Sequence, residues 1–370
     1  MIVLFLSIFT LYCAFLITGI YQWHFSKNTL QPSFSPSVSI IIAARNEAKN
    51  LPALLASLDQ LIYDRTKIEI IFVDDFSTDN TAKFIQNFES KSGLRMSVLN
   101  QTIISDTPKK EALKLGIKNS SGEILVFTDA DCIVPQNWAS EMANPFIDPK
   151  TELAVGCIKY IDSNILEQLL SIEQAALLGA GFTSLKLSIP SMCNGANMAI
   201  RRNTFDQING FETASKTASG DDELILHKVF LKNKNGIAFI KSTKATVSTL
   251  SAESIQQLFH QRKRWAGKWD KYLLFRTKAF AISIFTFHFI WLSTSLYVLF
   301  SGIHLPYFSI LFGLKMILEF VFIASVMKFL DKRINLLGFV LLQVIYSPYV
   351  IFFGLISKTK KYNWKERELS

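Results

Sequence analysis

The chain has 370 residues, 49% of them hydrophobic, with 31 phenylalanines and a mean hydropathy of +0.26, which excludes a pair of ordinary soluble domains and predicts a membrane protein carrying one soluble domain. Its net charge of +9, from 39 Lys and Arg against 30 Asp and Glu, suits an anionic bilayer surface or phosphorylated substrates. The densest basic cluster abuts a hydrophobic segment, which argues against nucleic acid as a partner. The cysteines, Cys13, Cys132, Cys157 and Cys193, have no metal-like spacing and are expected to be reduced thiols in a cytosolic domain.

Residues 1–23 carry no charged side chain and are long enough to cross a bilayer. No Lys or Arg precedes this stretch and no small-residue cleavage site occurs before Gln31, so an uncleaved anchor is favoured over a signal peptide. Tyr21 and Trp23 would sit at the interface, and Lys27, the first cation, places the polar region beyond it in the cytoplasm. Residues 30–37, with Pro32 and Pro36 among serines, form a linker.

A β-rich apolar run at 38–44 ends in Arg45-Asn46-Glu47 and leads into helical spacing at 51, 54, 55, 58 and 61. The grammar repeats at once, with a strand at 68–73, a polar turn at 74–80 and a helix at 81–88 for which Asp79 or Ser77 would be the N-cap. A strand at 96–99, a helix at 109–118 and a strand at 124–127 come next. Strands alternating with helices predict a doubly wound, mostly parallel α/β sheet, and no Gly-x-Gly-x-x-Gly opens a helix in it.

Ile124, Leu125, Val126 and Phe127 make an uninterrupted apolar run, as in a strand buried on both faces. Asp129 and Asp131 therefore fall at its C-terminal end, the edge at which open α/β sheets bind ligands. Two hard carboxylates there suit Mg2+ or Mn2+ bridging the phosphates of a nucleotide. An Asp-x-Asp pair arises by chance about once in a chain of this length and is then a solvated turn; its place at a strand end is what gives it weight.

Farther on, 153–161 is strand-like, 166–178 helical, and 192–200 small, polar and glycine-containing, a segment whose backbone can approach a ligand closely. Gly220-Asp221-Asp222-Glu223 opens another helix; its carboxylates serve either as caps favoured by the helix dipole or, for one of them, as a catalytic base in a cleft. In 254–272 one helix would carry Leu258, Trp265 and Trp269 on a shared face bedded in the membrane interface, its cations meeting lipid phosphate. The rest is apolar: 280–300, then a loop at 303–307, then 308–330 around Lys315 and Glu319, an i,i+4 pair able to neutralise itself, and 336–356 around Pro348. Three crossings from a cytoplasmic domain would put Lys358-Thr359-Lys360-Lys361 outside while Asp331-Lys332-Arg333 obeys the charge rule, so one segment is expected to be re-entrant or interfacial.

Seven stretches in order carry a family likeness: residues 39–47, Val73-Asp74-Asp75-Phe76-Ser77-Thr78-Asp79, Lys109-Lys110-Glu111-Ala112-Leu113, Thr128-Asp129-Ala130-Asp131, Asn194-Gly195-Ala196-Asn197-Met198, Gly220-Asp221-Asp222-Glu223 and Gln261-Arg262-Lys263-Arg264-Trp265. Together they resemble the inverting family 2 glycosyltransferases of GT-A type, in the membrane-integrated branch of cellulose, chitin and hyaluronan synthases and ceramide glucosyltransferases. The resemblance implies a GT-A nucleotide-diphospho-sugar transferase fold, Rossmann-like, between N- and C-terminal transmembrane helices. It divides the chain into an anchor (1–24), a cytoplasmic catalytic domain (34–250), an interfacial segment (251–277), a transmembrane region (278–357) and a basic tail (358–370).

By the same resemblance, Ala44, Arg45, Glu47, Asp74, Asp75, Lys110 and Asp129 would line the donor-nucleotide pocket, although Lys109-Lys110 stands where the family often has Gly-Lys. Asp131, with Asp129, would hold Mg2+ or Mn2+ and the diphosphate; Asp222, beside Asp221, would be the base; and Gln261, Arg264 and Trp265 would form the Gln-x-x-Arg-Trp signature. Direct inverting transfer needs a carboxylate to take the acceptor proton, electrostatic stabilisation of the leaving diphosphate and an apolar wall for the acceptor sugar, which Asp222, the cation with Arg264, and Trp265 can supply. The implied partners are a nucleotide sugar, UDP-linked above all, a lipid-linked or saccharide acceptor and membrane lipid, at the cytoplasmic face of the plasma (inner) membrane. The few hydrophobic segments favour a lipid-linked or short product over a processive polysaccharide synthase. A catalytically inactive nucleotide-binding scaffold is the alternative of another class.

Overall fold

The computed structural model describes residues 2–26, 34–88, 93–212, 220–356, 362–364 and 367–369. Lys27, the first cation, Gln31 and Pro32 of the expected linker, and Lys358, Thr359, Lys360 and Lys361 of the basic tail lie outside the described residues. In chain order the elements are α1 (Ile2–Phe25), β1 (Val38–Ala44), α2 (Leu51–Asp59), β2 (Ile68–Asp74), α3 (Thr81–Gln86), β3 (Arg95–Asn100), α4 (Pro108–Lys118), β4 (Ile124–Phe127), β5 (Cys132–Ile133), α5 (Trp138–Ala143), β6 (Leu153–Gly156), β7 (Ile158–Ile161), α6 (Ile165–Lys186), β8 (Met198–Arg201), α7 (Arg202–Gln207), α8 (Asp221–Lys232), β9 (Ile237–Ile240), β10 (Val247–Leu250), α9 (Ile255–Ala266), α10 (Phe275–Ser301), α11 (Leu305–Phe329), α12 (Leu336–Ile356) and the short pair β11 (Tyr362–Trp364) and β12 (Arg367–Leu369).

They fall into two compact units. One gathers Met1–Ser26, Asp162–Ser191 and Ser251–Lys360, the other Lys27–Ile161, Met192–Leu250 and Lys361–Ser370.

The sheet unit holds seven strands in the order β3-β2-β1-β4-β8-β6-β9. The first four run parallel, β8 is antiparallel to both β4 and β6, and β9 is parallel to β6. Strand periodicity sorts β1 between two cores: Ile40 and Ile42 pack with α2 and α5, while Ile41 packs with α4 and with Ile225 and Val229 of α8. Covered on both faces, β1 and β4 are apolar along their length except for buried Ser39, whose hydroxyl donates to Glu69 and accepts from the Gly122 amide. Residues 153–161 do not form one strand. The last residue of β6 is Gly156, where the Asn197 side chain leaves no room for a Cβ, and after Cys157 the chain enters a second sheet, β5-β10-β7.

The helical unit contains α1, α6 and α9 to α12, and four of these, α1, α10, α11 and α12, are long and apolar enough to cross a membrane. The expected catalytic domain of 34–250 is interrupted by α6, which clusters with them. Leu170, Ile172, Ala175, Leu178 and Phe182 of α6 are buried among its length, and a helix apolar on every side needs surrounding partners. Close approach is built in by glycine: a Cβ at Gly19 of α1 would stand 2.6 Å from Phe322 of α11, and one at Gly179 of α6 would stand 2.7 Å from the same ring. The Lys315–Glu319 pair forms at 2.9 Å as anticipated, and it is further bound by Gln343 of α12 and the Tyr12 hydroxyl of α1. The interfacial helix is shorter than expected: α9 ends at Ala266, and Trp269 belongs to a separate single turn rather than to the face of Leu258 and Trp265.

Candidate active site

The site residues of the sheet unit come from the C-terminal ends of β1, β2 and β4 and the starts of α4 and α8. Ala44 pairs in register with Asp74, and the Asp75 amide donates to the Ala44 carbonyl at 2.9 Å, so the loops after β1 and β2 leave the sheet side by side. Arg45, nearly buried, donates to the carbonyls of Asp75 and Phe76 at 2.8 and 2.7 Å. Phe76 has φ 55°, a left-handed conformation costly for a bulky side chain and held by this guanidinium. The Glu47 amide donates to Thr81 Oγ1 and the Glu47 carboxylate accepts from Asn50. Neither Asp79 nor Ser77 is the residue preceding α3; that is Asn80, without a side-chain cap, while Asp79 accepts from the Thr81 amide inside the helix and from the Ala48 amide. These bonds fix the loops on which Asp74 and Asp75, 7% and 2% exposed, present their carboxylates. Asp74 Oδ2 accepts from the Ser77 amide, whereas its buried Oδ1 has no hydrogen-bond partner among the described residues.

At the end of β4, burial and the adjacent Asp129 charge push the Asp131 carboxyl up to about 6. Lys109 pairs with Asp129 at 2.6 Å, and this contact outweighs partial burial and holds the ammonium charged. Lys110, buried, instead pairs with Asp221 at 3.0 Å. Burial raises the Asp221 carboxyl above its ordinary value against the pull of Lys110. Consecutive residues of α4 thus tie the acidic pair of β4 to the acidic start of α8.

Asp222 is held by backbone. Gly220 enters α8 at φ 90°, and the Glu223 amide and the Gly195 amide donate to Asp222 Oδ1 and Oδ2, each at 2.9 Å. The Asn194–Asn197 segment serves two ends: Gly195 reaches Asp222, while fully buried Asn197 accepts from the Trp138 indole and donates to the carbonyls of Cys157 and Ala245.

Ala44, Arg45, Glu47, Asp74, Asp75, Lys110, Asp129, Asp131, Asp221 and Asp222 therefore belong to one unit; Gln261, Arg264 and Trp265 lie on α9 in the other. Lys109, which pairs with Asp129, was not among the expected site residues. Two lysines in the first turn of a helix oppose its dipole, and that local misfit was the available signal that each answers a carboxylate elsewhere.

Among the described residues no cluster of three or more His, Cys, Asp or Glu could hold a metal. The protein offers two carboxylates, which fits Mg2+ or Mn2+ completed by phosphate and water. The raised Asp131 value points the same way, since two neighbouring carboxylates that resist joint ionisation gain from a divalent charge.

Residues 39–208 match the model of glycosyl transferase family 2, and residues 124–356 that of glycosyl transferase family group 2. The probable glycosyltransferase YdaM of Bacillus subtilis is 28% identical over 244 residues, covering 62% of this chain and 54% of that protein. The poly-beta-1,6-N-acetyl-D-glucosamine synthase of Staphylococcus aureus is 27% identical over 259 residues, covering 68% of this chain and 60% of the synthase. The match thus spans little more than half of either relative. Among solved structures, the mannosyltransferase PcManGT of Pyrobaculum calidifontis, in complex with GDP-Man and Mn2+, superposes with a TM-score of 0.58 at 18% identity, over 89% of this chain and 96% of its own. The strand order, the acidic edge and a family match running from β4 through α12 agree, and the chain belongs to the family 2 glycosyl transferases, with a GT-A sheet unit and a bundle of helices able to span a membrane.

Proposed function

We propose that this chain transfers a sugar, with inversion, from a nucleotide sugar of the UDP class to a lipid-linked or glycan acceptor at the cytoplasmic face of a membrane. The observation that carries the reading is the grouping, in one unit, of the β4 carboxylates with Lys109, Lys110, Asp221 and Asp222 at a parallel sheet's C-terminal edge. Asp74 and Asp75 take the base and ribose, with Ala44, Arg45 and Glu47 shaping the same pocket. Asp131 and Asp129 hold the divalent cation, which when bound offsets charge gained by the departing diphosphate. Asp222 takes the acceptor hydroxyl proton as that oxygen bonds the anomeric carbon and the bond from that carbon to the diphosphate breaks. Gln261, Arg264 and Trp265 contact the acceptor and the leaving group, the roles their family signature carries.

A processive polysaccharide synthase is the second reading, favoured by the 27% identity to the staphylococcal synthase. Purified protein with membrane lipid and Mg2+ or Mn2+, offered UDP-glucose, UDP-GlcNAc, UDP-galactose or GDP-mannose, should yield a glycosylated product identifiable by mass. One added sugar supports the single-transfer reading, a ladder the polymerising one, and nucleotide binding without product the inactive scaffold. Chelation with EDTA should abolish turnover, and Asp131→Ala should remove the metal-dependent part of nucleotide affinity; unchanged affinity in that variant would refute its role in holding the cation.

A further inference from the structure

Arg262 is the buried residue of α9, 4% exposed, inside the Gln-x-x-Arg-Trp stretch at a position that the signature leaves open. Its guanidinium is held on three sides. Nη2 donates to Glu173 Oε2 of α6 at 2.6 Å, and Nε donates to the Tyr349 hydroxyl of α12 at 2.6 Å. That hydroxyl in turn donates to Glu173 Oε1 at 3.0 Å, closing a ring of bonds across three helices. The third side faces the signature itself. Nη1 donates to Gln261 Oε1 at 2.8 Å, and the cation lies over the Trp265 ring, 4.1 Å from its centroid. Phe259 packs near Phe353 of α12 beside this ring of bonds.

A buried ion pair is a poor device for stability alone, because desolvating both charges costs about as much as their attraction returns, and apolar side chains of similar size do as well. A planar guanidinium is a good device for orientation, since its donors point in fixed directions. We infer that Glu173 and Tyr349 are positioning residues that act through Arg262 to set Gln261 and Trp265 for acceptor transfer. The inference rests on the transferase reading above and extends it to residues far from the signature in sequence.

The test compares Glu173→Leu, Arg262→Met, the Glu173→Leu/Arg262→Met pair and Tyr349→Phe in the full-length, membrane-extracted protein. Either charge deletion alone leaves its partner buried and should lower the melting temperature; the apolar pair should restore it. Transfer by the pair should nevertheless stay at least about tenfold below that of the unaltered chain, with the KM for the nucleotide sugar changed less than about threefold. Tyr349→Phe takes one bond from each buried charge and should lower the melting temperature less than either charge deletion, with a smaller loss of kcat. Full turnover in the melting-restored pair would overturn the inference, because the network would then be a staple and nothing more. Should the unaltered chain turn over no nucleotide sugar, the transferase reading itself fails. The positional claim is then decided by amide exchange along residues 255–266, which speeds up in the stable pair if the network orients α9 and is unchanged if it does not.

Discussion

Asp222 has each carboxylate oxygen on a backbone amide, Gly195 N at 2.9 Å on one side and Glu223 N at 2.9 Å on the other. The carboxylate plane cannot turn without breaking one of these bonds. Asp222→Asn would set an amide NH2 against one of those N–H donors and remove the basic oxygen at once. Turnover should fall by about a hundredfold or more, the scale of a lost general base, while nucleotide affinity changes little; full turnover in initial-rate assays would take the role from Asp222. The acidic triplet was legible as a motif and the family resemblance singled out Asp222 within it, yet the partners of each carboxylate were not legible. Asp221 is spoken for by Lys110, 111 positions earlier in the chain, and Asp222 by the Asn-Gly turn; only the fold brings those partners within reach.

Elements bounded by an abrupt change of polarity are legible to the residue: β1 at 38–44 and β4 at 124–127 end where apolar runs give way to Arg45 and to Thr128-Asp129. Elements whose place depends on a distant partner are not. The β6–β7 break falls beside Gly156, where the Asn197 side chain leaves no room for a Cβ, and α6, expected as a helix of the catalytic domain at 166–178, extends over 165–186 and sides with the apolar helices. Nothing local to α6 marks it as one kind of buried helix rather than the other. Its docking depends on Gly179, whose missing side chain admits Phe322 and Val326 of α11. Gly179→Leu forces that ring away and should cost about 1 to 3 kcal/mol, the usual penalty for overpacking a close contact. The measurement is the melting temperature of the extracted protein; an unchanged value would deny the α6–α11 contact.

The helical unit is built with its polarity reversed relative to a water-soluble bundle. Outward positions of all four long helices carry large apolar side chains, Val3 78%, Phe300 85%, Tyr307 72% and Leu337 80% exposed among them, while Lys315, Glu319, Gln343 and Ser347 are buried and bonded to one another or to neighbouring helices. In water such a surface would drive aggregation; in hydrocarbon it is the favourable arrangement, and the interior polar groups are then those that most need internal partners. The composition announced a membrane protein and the sequence set Lys315 and Glu319 inside an apolar segment, but their partners Gln343 and Tyr12 became visible only with the packing. An enzyme merely resting on anionic lipid through its net charge of +9 would be released when the electrostatic attraction is broken. One held by these helices would not, because the apolar area of several spans outweighs any surface charge term. Membranes carrying the full chain, washed in high salt and then in alkaline carbonate, should retain it in the pellet and yield it only to detergent. Recovery in the carbonate supernatant would mean that the apolar faces are covered by something other than lipid.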